Sequence, residues 1–160
     1  MVDVATVTAA ISAATAAVGL FDKIADQVQR FITKQPEPAV PREHRMRIEE
    51  SDGDIVSRTR GGVELQRITV DDLQNLPMAE LRHVTVLERS MENHYRVWEK
   101  VYPNLALLDS PVQKARIEQQ LEGIVRDMGK DLESILSFLE SCGLHLDDHY
   151  MHIRHLVRGV

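Results

Sequence analysis

The sequence predicts a mainly α fold: a helical bundle with a long antiparallel helix hairpin, a long N-terminal helix and a small β-meander insert. Three observations carry that expectation. Val84, Leu87, Met91, Trp98, Val101, Leu105 and Leu108, with His94 among them, recur at steps of three and four between Pro77 and Asp109. Such spacing keeps one narrow apolar seam on a helix, the pattern of helices packed at shallow angles. Ile117, Leu121, Ile124, Met128, Leu132, Ile135 and Leu139 carry the same seam back. The intervening Leu108-Asp109-Ser110-Pro111 is long enough only for a tight reversal, so the two helices pack antiparallel.

The N-terminal helix is expected over residues 4–32. Its seam is Val4, Val7, Ile11, Ala14, Val18, Phe21, Ala25, Val28 and Ile32, and Asp3 is placed to cap it. The first half holds only small polar residues, and charge begins at Asp22 and Lys23. Pro36, Pro38 and Pro41 end the helix and impose an extended linker. Met46 and Ile48 then alternate with Arg45, Arg47 and Glu49, the period of a half-buried strand. Asp52-Gly53 and Gly61-Gly62 are turn signals, giving strands near 45–50, 54–60 and 63–68. The chain thus divides into an alanine-rich helix (1–34), a proline-rich linker (35–44), the meander (45–68) and the hairpin with a short last helix (69–160).

Local signals place the remaining boundaries. Thr69-Val70-Asp71-Asp72 resembles a capping box that opens a short helix. Pro77 suits the first turn of the long helix, and Pro103 must kink or break it near Tyr102. Ser110 and Pro111 start the return helix, whose internal Gly123 and Gly129 imply close packing or a bend. Gly143 ends that helix, and Asp147 caps a last one burying Leu146, Tyr150, Ile153 and Val157.

Composition narrows the function classes. A chain of 160 residues with 43% apolar and 28% charged residues can build one real core. Its 4% aromatic share suits helix-on-helix packing better than a ring-lined enzyme pocket. A net charge of −6 with no basic cluster argues against a nucleic-acid partner. One cysteine, Cys142, excludes an intrachain disulfide and fits a cytoplasmic location. No basic residue lies near Cys142 in sequence, and it ends a helix, so its pKa is expected to rise.

The candidate sites are few. His145, His149 and His152 would share one face of a continuous helix, with Asp148 beside them as an oxygen ligand for a transition metal. Leu146-Asp147 reads as the helix start, which would leave His145 outside that register; the competing reading is a solvated face. His94, a polar residue on an apolar seam, reads first as a core or register residue. Arg58, Arg60 and Arg67 on the meander could grip a carboxylate or phosphate, although Glu49, Glu50 and Glu64 can pair with them locally. No cofactor motif is present.

The first thirty residues, with the run Ala17-Val18-Gly19-Leu20-Phe21-Asp22, resemble the leading helix of fungal HeLo and related death-effector bundles. The resemblance covers under a fifth of the chain and implies an N-terminal helix released to attack membranes. The expected strand meander departs from that family's all-helical pattern. Independently, residues 4–21 form an uncharged run of about 18 residues, the lower limit for crossing a bilayer.

The expectation is therefore a non-enzymatic helical assembly protein that self-associates or binds a protein partner. Val4, Val7, Ile11, Ala14, Val18, Phe21 and Val28 are its candidate interface. The alternative is a membrane-acting or membrane-associated component using residues 4–21, and the third reading is metal binding by the C-terminal histidines.

Overall fold

The computed structural model describes residues 2–28 and 45–158. The expected proline-rich linker and the end of the first helix lie outside them. The described elements are α1 (Val4–Asp22), α2 (Ala25–Val28), β1 (Arg47–Ser51), β2 (Asp54–Arg58), β3 (Glu64–Ile68) and α3 (Val70–Leu73). Then come α4 (Met78–Val101), a 3-10 segment (Tyr102–Leu107), α5 (Pro111–Ser141) and α6 (Asp148–Arg158). The mainly α fold with a minor antiparallel sheet is as the sequence indicates.

α1 occupies the middle of the molecule. It begins where the Val2 amide donates to the Gln74 carbonyl at 3.1 Å, and it ends where the Lys23 ammonium lies 5.5 Å from the Tyr95 ring centre. It therefore runs alongside α4 in the same direction and opposite to α5. Asp3 caps it, its carboxylate accepting from the Thr6 amide at 2.7 Å. Val7, Ala10, Ile11, Ala14, Ala17, Val18 and Phe21 are completely buried. Alanines at 10, 14 and 17 allow close approach of the helices and sheet around it.

The expectation of one helix over 4–32 is corrected at Lys23. The Lys23 amide donates to the Leu20 carbonyl and the Ile24 amide to that of Phe21, an i→i−3 tightening that closes α1 and resets the chain before α2. The tightened turn keeps Phe21, Ile24 and Ala25 all within the core.

The sheet has the order β1-β2-β3, antiparallel throughout. Asp52 and Gly53 both have positive φ, 54° and 81°, the conformation of a two-residue hairpin turn. Its inner face sends Met46, Ile48, Ile55 and Ile68 into the same core as α1. On the outer face Glu49, Val56 and Arg67 are aligned across the strands, and Val56 is completely buried. A small sheet of this kind needs a covering layer, and α1 supplies it.

The Thr69 capping box forms in full, and the Ser110 and Gly143 signals act as caps. Thr69 and Asp72 exchange side-chain and backbone hydrogen bonds in a reciprocal box. Ser110 accepts from the Gln113 amide at 3.4 Å, with Pro111 in the first turn of α5. At the other end of α5, Gly143 has φ 98°; its amide donates to Glu140, and the Leu144 amide reaches back to Leu139. That pairing of bonds is the Schellman closure. Pro77 precedes α4 as its N-cap rather than lying inside its first turn. Pro103 ends α4 regularity as expected: the helix tightens at Tyr102, and the Tyr102 ring stacks on Trp98 at 5.0 Å.

The hairpin outruns the rest. α5 is about 46 Å long and α1 about 28 Å at 1.5 Å per residue. Trp98 and Leu121 are the last buried residues before the tip, and between Val101 and Gln120 no residue is buried.

The two glycines of α5 separate cleanly. A Cβ at Gly129 would lie 2.6 Å from Val157 Cγ2 of α6, whereas one at Gly123 would meet nothing within 4 Å. Gly123→Ala is expected to raise stability by up to about 1 kcal/mol through helix propensity. Gly129→Ala should lose that gain and destabilise, because α6 must shift. Urea midpoints of the two variants check this; equal gains would show that α6 does not need the gap.

Candidate functional site

Three places in the fold carry chemistry or exposed apolar surface. The first is the junction where the end of α1, the residues leading into β1 and the start of α6 meet. Asp147 caps α6, its Oδ1 accepting from the Tyr150 amide at 3.1 Å, while its Oδ2 accepts from the Met46 amide at 2.7 Å. One carboxylate thus fixes both the helix start and the approach to β1. Tyr150 is completely buried, and its hydroxyl lies 3.1 and 3.3 Å from the two carboxylate oxygens of Asp22.

Burial governs the charge state of that pair. Loss of hydration pushes the Asp22 carboxyl up to about 7, although the Tyr150 hydroxyl and the Arg45 charge pull the other way. Asp147 adds to the rise. The Tyr150 hydroxyl is held well above its ordinary value by burial and then by Asp22, so it remains the donor.

The same junction borders a cavity of about 560 Å³ lined by Gly19, Asp22, Lys23, Arg45, Arg47 and Arg60, with Met46 and His149. Arg58 and Arg67 are engaged elsewhere on the sheet. Arg58 Nε lies 2.8 Å from Glu49, and Arg67 bridges Asp54 and Glu64 at 2.8 and 2.7 Å. The local pairing expected for those two arginines forms, and Arg60 stands apart from it.

The C-terminal histidines do not converge. α6 begins at Asp148, so His145 lies before the helix, its amide donating to Gln66 Oε1 at 2.9 Å. His145 lines a separate hollow beside Ser57 and Leu146, while His149 is buried against the Tyr150 ring and lines the junction cavity. His152 is half-buried and its pKa is lowered by desolvation and by His155; Asp148 is exposed. Among the described residues no three histidine, cysteine or carboxylate side chains are grouped to hold a metal.

Two other residues marked in the sequence have clear surroundings. His94 faces Asp131 at 3.6 Å and Asp127 at 3.9 Å across the hairpin, and the Ser90 hydroxyl donates to Asp131 at 2.7 Å. This is a polar stitch between α4 and α5. Burial pushes the Cys142 thiol up to about 11, which leaves it a poor nucleophile at neutral pH.

The expected interface divides. Val7, Ile11, Ala14, Val18 and Phe21 are completely buried within the chain's own core, and Val4 is exposed. The side chain of Val28 lies outside the described residues. α1 is long and apolar enough to cross a membrane by length and composition, with a mean hydropathy of 1.8, and half of that stretch is buried inside the fold. Exposed apolar side chains include Val63, Leu65 and Val86 elsewhere, and one group of them lies at the hairpin tip. There Leu107 and Val112 are 78% and 63% exposed, and a hollow of about 440 Å³ is lined by Asn104, Leu107, Leu108, Gln113, Arg116 and Ile117.

Sequence reasoning missed the Asp22–Tyr150 pair and the cavity beside it. One signal was present: Asp22 follows Val18 by four residues, so it lies toward the buried stripe of α1.

The raised Asp22 value has a fixed sign in stability. The carboxyl ionises near 3.8 when unfolded and near 7 when folded, so its contribution is full below about pH 4 and is lost as pH rises through 7. Asp22→Asn keeps a neutral acceptor for Tyr150 and does not titrate. Relative to the parent it should therefore gain about 2–3 kcal/mol between pH 5 and pH 8. Urea unfolding at both values measures the difference, and a pH-independent difference would show that Asp22 is ionised in the fold throughout.

No family model, no curated protein and no solved structure matches this chain.

Proposed function

We propose that this chain is a non-enzymatic helical assembly protein that pairs with a second copy through the tip of its α4–α5 hairpin. The observation that carries the reading is the distal seam. Leu105, Leu108 and Ile117 continue the heptad spacing of the buried core, yet they are only partly covered because α1 has ended. Two helices alone leave one side of their seam in water, and a second pair closes it as a four-helix bundle.

Charge favours a like partner. Residues 101–120 hold Asp109 and Glu118 against Lys114 and Arg116, a balanced set in a chain of net charge −6. Two tips can meet without the repulsion that other faces of an acidic protein impose. Leu107 and Val112 would lie at the centre of such a contact.

A second reading follows from the hydropathy of α1, which would make the protein membrane-associated. In that reading α1 leaves the core and uncovers Leu81, Val84 and Leu132, so exposure of apolar surface must accompany membrane binding.

Light scattering across a range of concentrations is expected to give a dimer for the parent chain. Leu107→Glu with Val112→Glu should give a monomer with unchanged helix content, since both side chains are already exposed. A parent that stays monomeric at high micromolar concentration, or a double variant that still dimerises, overturns the pairing. Flotation of the parent with vesicles, in the same buffer, replaces it with the membrane reading.

A further inference from the structure

We propose that the cavity between the end of α1, the approach to β1, the β2–β3 turn and the start of α6 binds a small multivalent anion of the organic phosphate class. Arg45, Arg47 and Arg60 come from two separate stretches of the chain and line one space of about 560 Å³, together with Lys23, whose ammonium lies over the Tyr95 ring. In a protein of net charge −6, three arginines against the one acid Asp22 make this lining locally positive.

The nearby carboxylates have partners of their own, and Arg45 acts on Asp22 as well. Glu49 pairs with Arg58 at 2.8 Å, Glu50 accepts from the Ser12 hydroxyl at 3.1 Å, and Asp147 holds the Met46 and Tyr150 amides. Asp22, the one acid in the lining, is turned onto the Tyr150 hydroxyl. Among the described residues Arg47 and Arg60 have no ion pair, whereas Arg58, Arg67, Arg96, Arg126 and Arg154 each have at least one.

Size and shape point to the ligand class. The space exceeds a single phosphate ion, whose share of volume is of the order of a few waters at about 30 Å³ each. Arginine forks match phosphate oxygens in pairs, and several of them suit a group bearing two or more charges. Gly19 keeps the wall open: a Cβ there would meet nothing within 4 Å, although glycine inside a helix costs about 1 kcal/mol relative to alanine.

The test uses inorganic pyrophosphate as the probe, in titration calorimetry at about 150 mM salt, where surface attraction is screened beyond about 8 Å. One site per chain is expected. Arg60→Ser and Arg47→Ser should each weaken binding about tenfold, and Lys114→Ser at the hairpin tip should leave it unchanged. Gly19→Leu is the variant that separates occlusion from unfolding, because it should raise the urea midpoint while abolishing binding. No binding at millimolar pyrophosphate overturns the proposal. So does equal weakening by Lys114→Ser, which would mark diffuse attraction, or full binding by Gly19→Leu.

Discussion

The fold depends on burying α1 from several sides at once. This helix has almost no polar side chain that needs water on its inner faces, and its alanines bring α4, α5 and the sheet close around it. Alanine buries little area per residue, so no single contact secures the helix; the stabilisation comes from being enclosed. The sheet is stable for the converse reason. Three strands of five residues have one apolar face, and α1 is the layer that removes it from water. Helix and sheet each lack an independent core and share one.

That arrangement explains which parts were readable from the chain. Caps are local: Thr69 with Asp72, Ser110 with Gln113 and Gly143 with Glu140 lie within three residues of each other, so their chemistry is written in adjacent letters. The hairpin seam was legible because three-four spacing over many turns has only one solution. The break at Lys23 was not, since the seam spacing runs on through Ala25 and Val28 while the backbone tightens. Beside that break a contact joins Asp22 to Tyr150 across 128 positions. Periodicity also finds a buried side without saying what buries it, which is why the α1 seam read equally as an interface and as a core.

The junction beside Asp22 shows how the molecule distributes its charges. On the sheet and along α5, arginines meet carboxylates: Arg154 sits between Glu133 and Glu140, nearly buried, and locks α6 to α5. Removing its carboxylates is costly because Arg154 itself is nearly buried and would keep a charge with little water around it. Around the junction cavity the pattern changes, with cations at the wall and a carboxyl whose ionisation burial opposes. The site residues were invisible as a motif because they are far apart in sequence and each alone looks like an ordinary surface charge. Only the meeting of α1, the approach to β1, the β2–β3 turn and α6 puts them together.

The position of α1 in the chain has a consequence for synthesis. The helix that everything encloses is made before the elements that enclose it. Between the end of α1 at Asp22 and the end of α5 at Ser141 lie 119 residues (141 − 22). At about 5–20 residues per second the ribosome needs roughly 6–24 seconds to deliver them. Until then a helix apolar enough to resemble a membrane span stands without its full set of partners. The cell must shield it, hold it on a surface, or tolerate its transient exposure. The order of the elements thus makes nascent α1 a natural substrate for the factors that scan emerging chains for greasy segments.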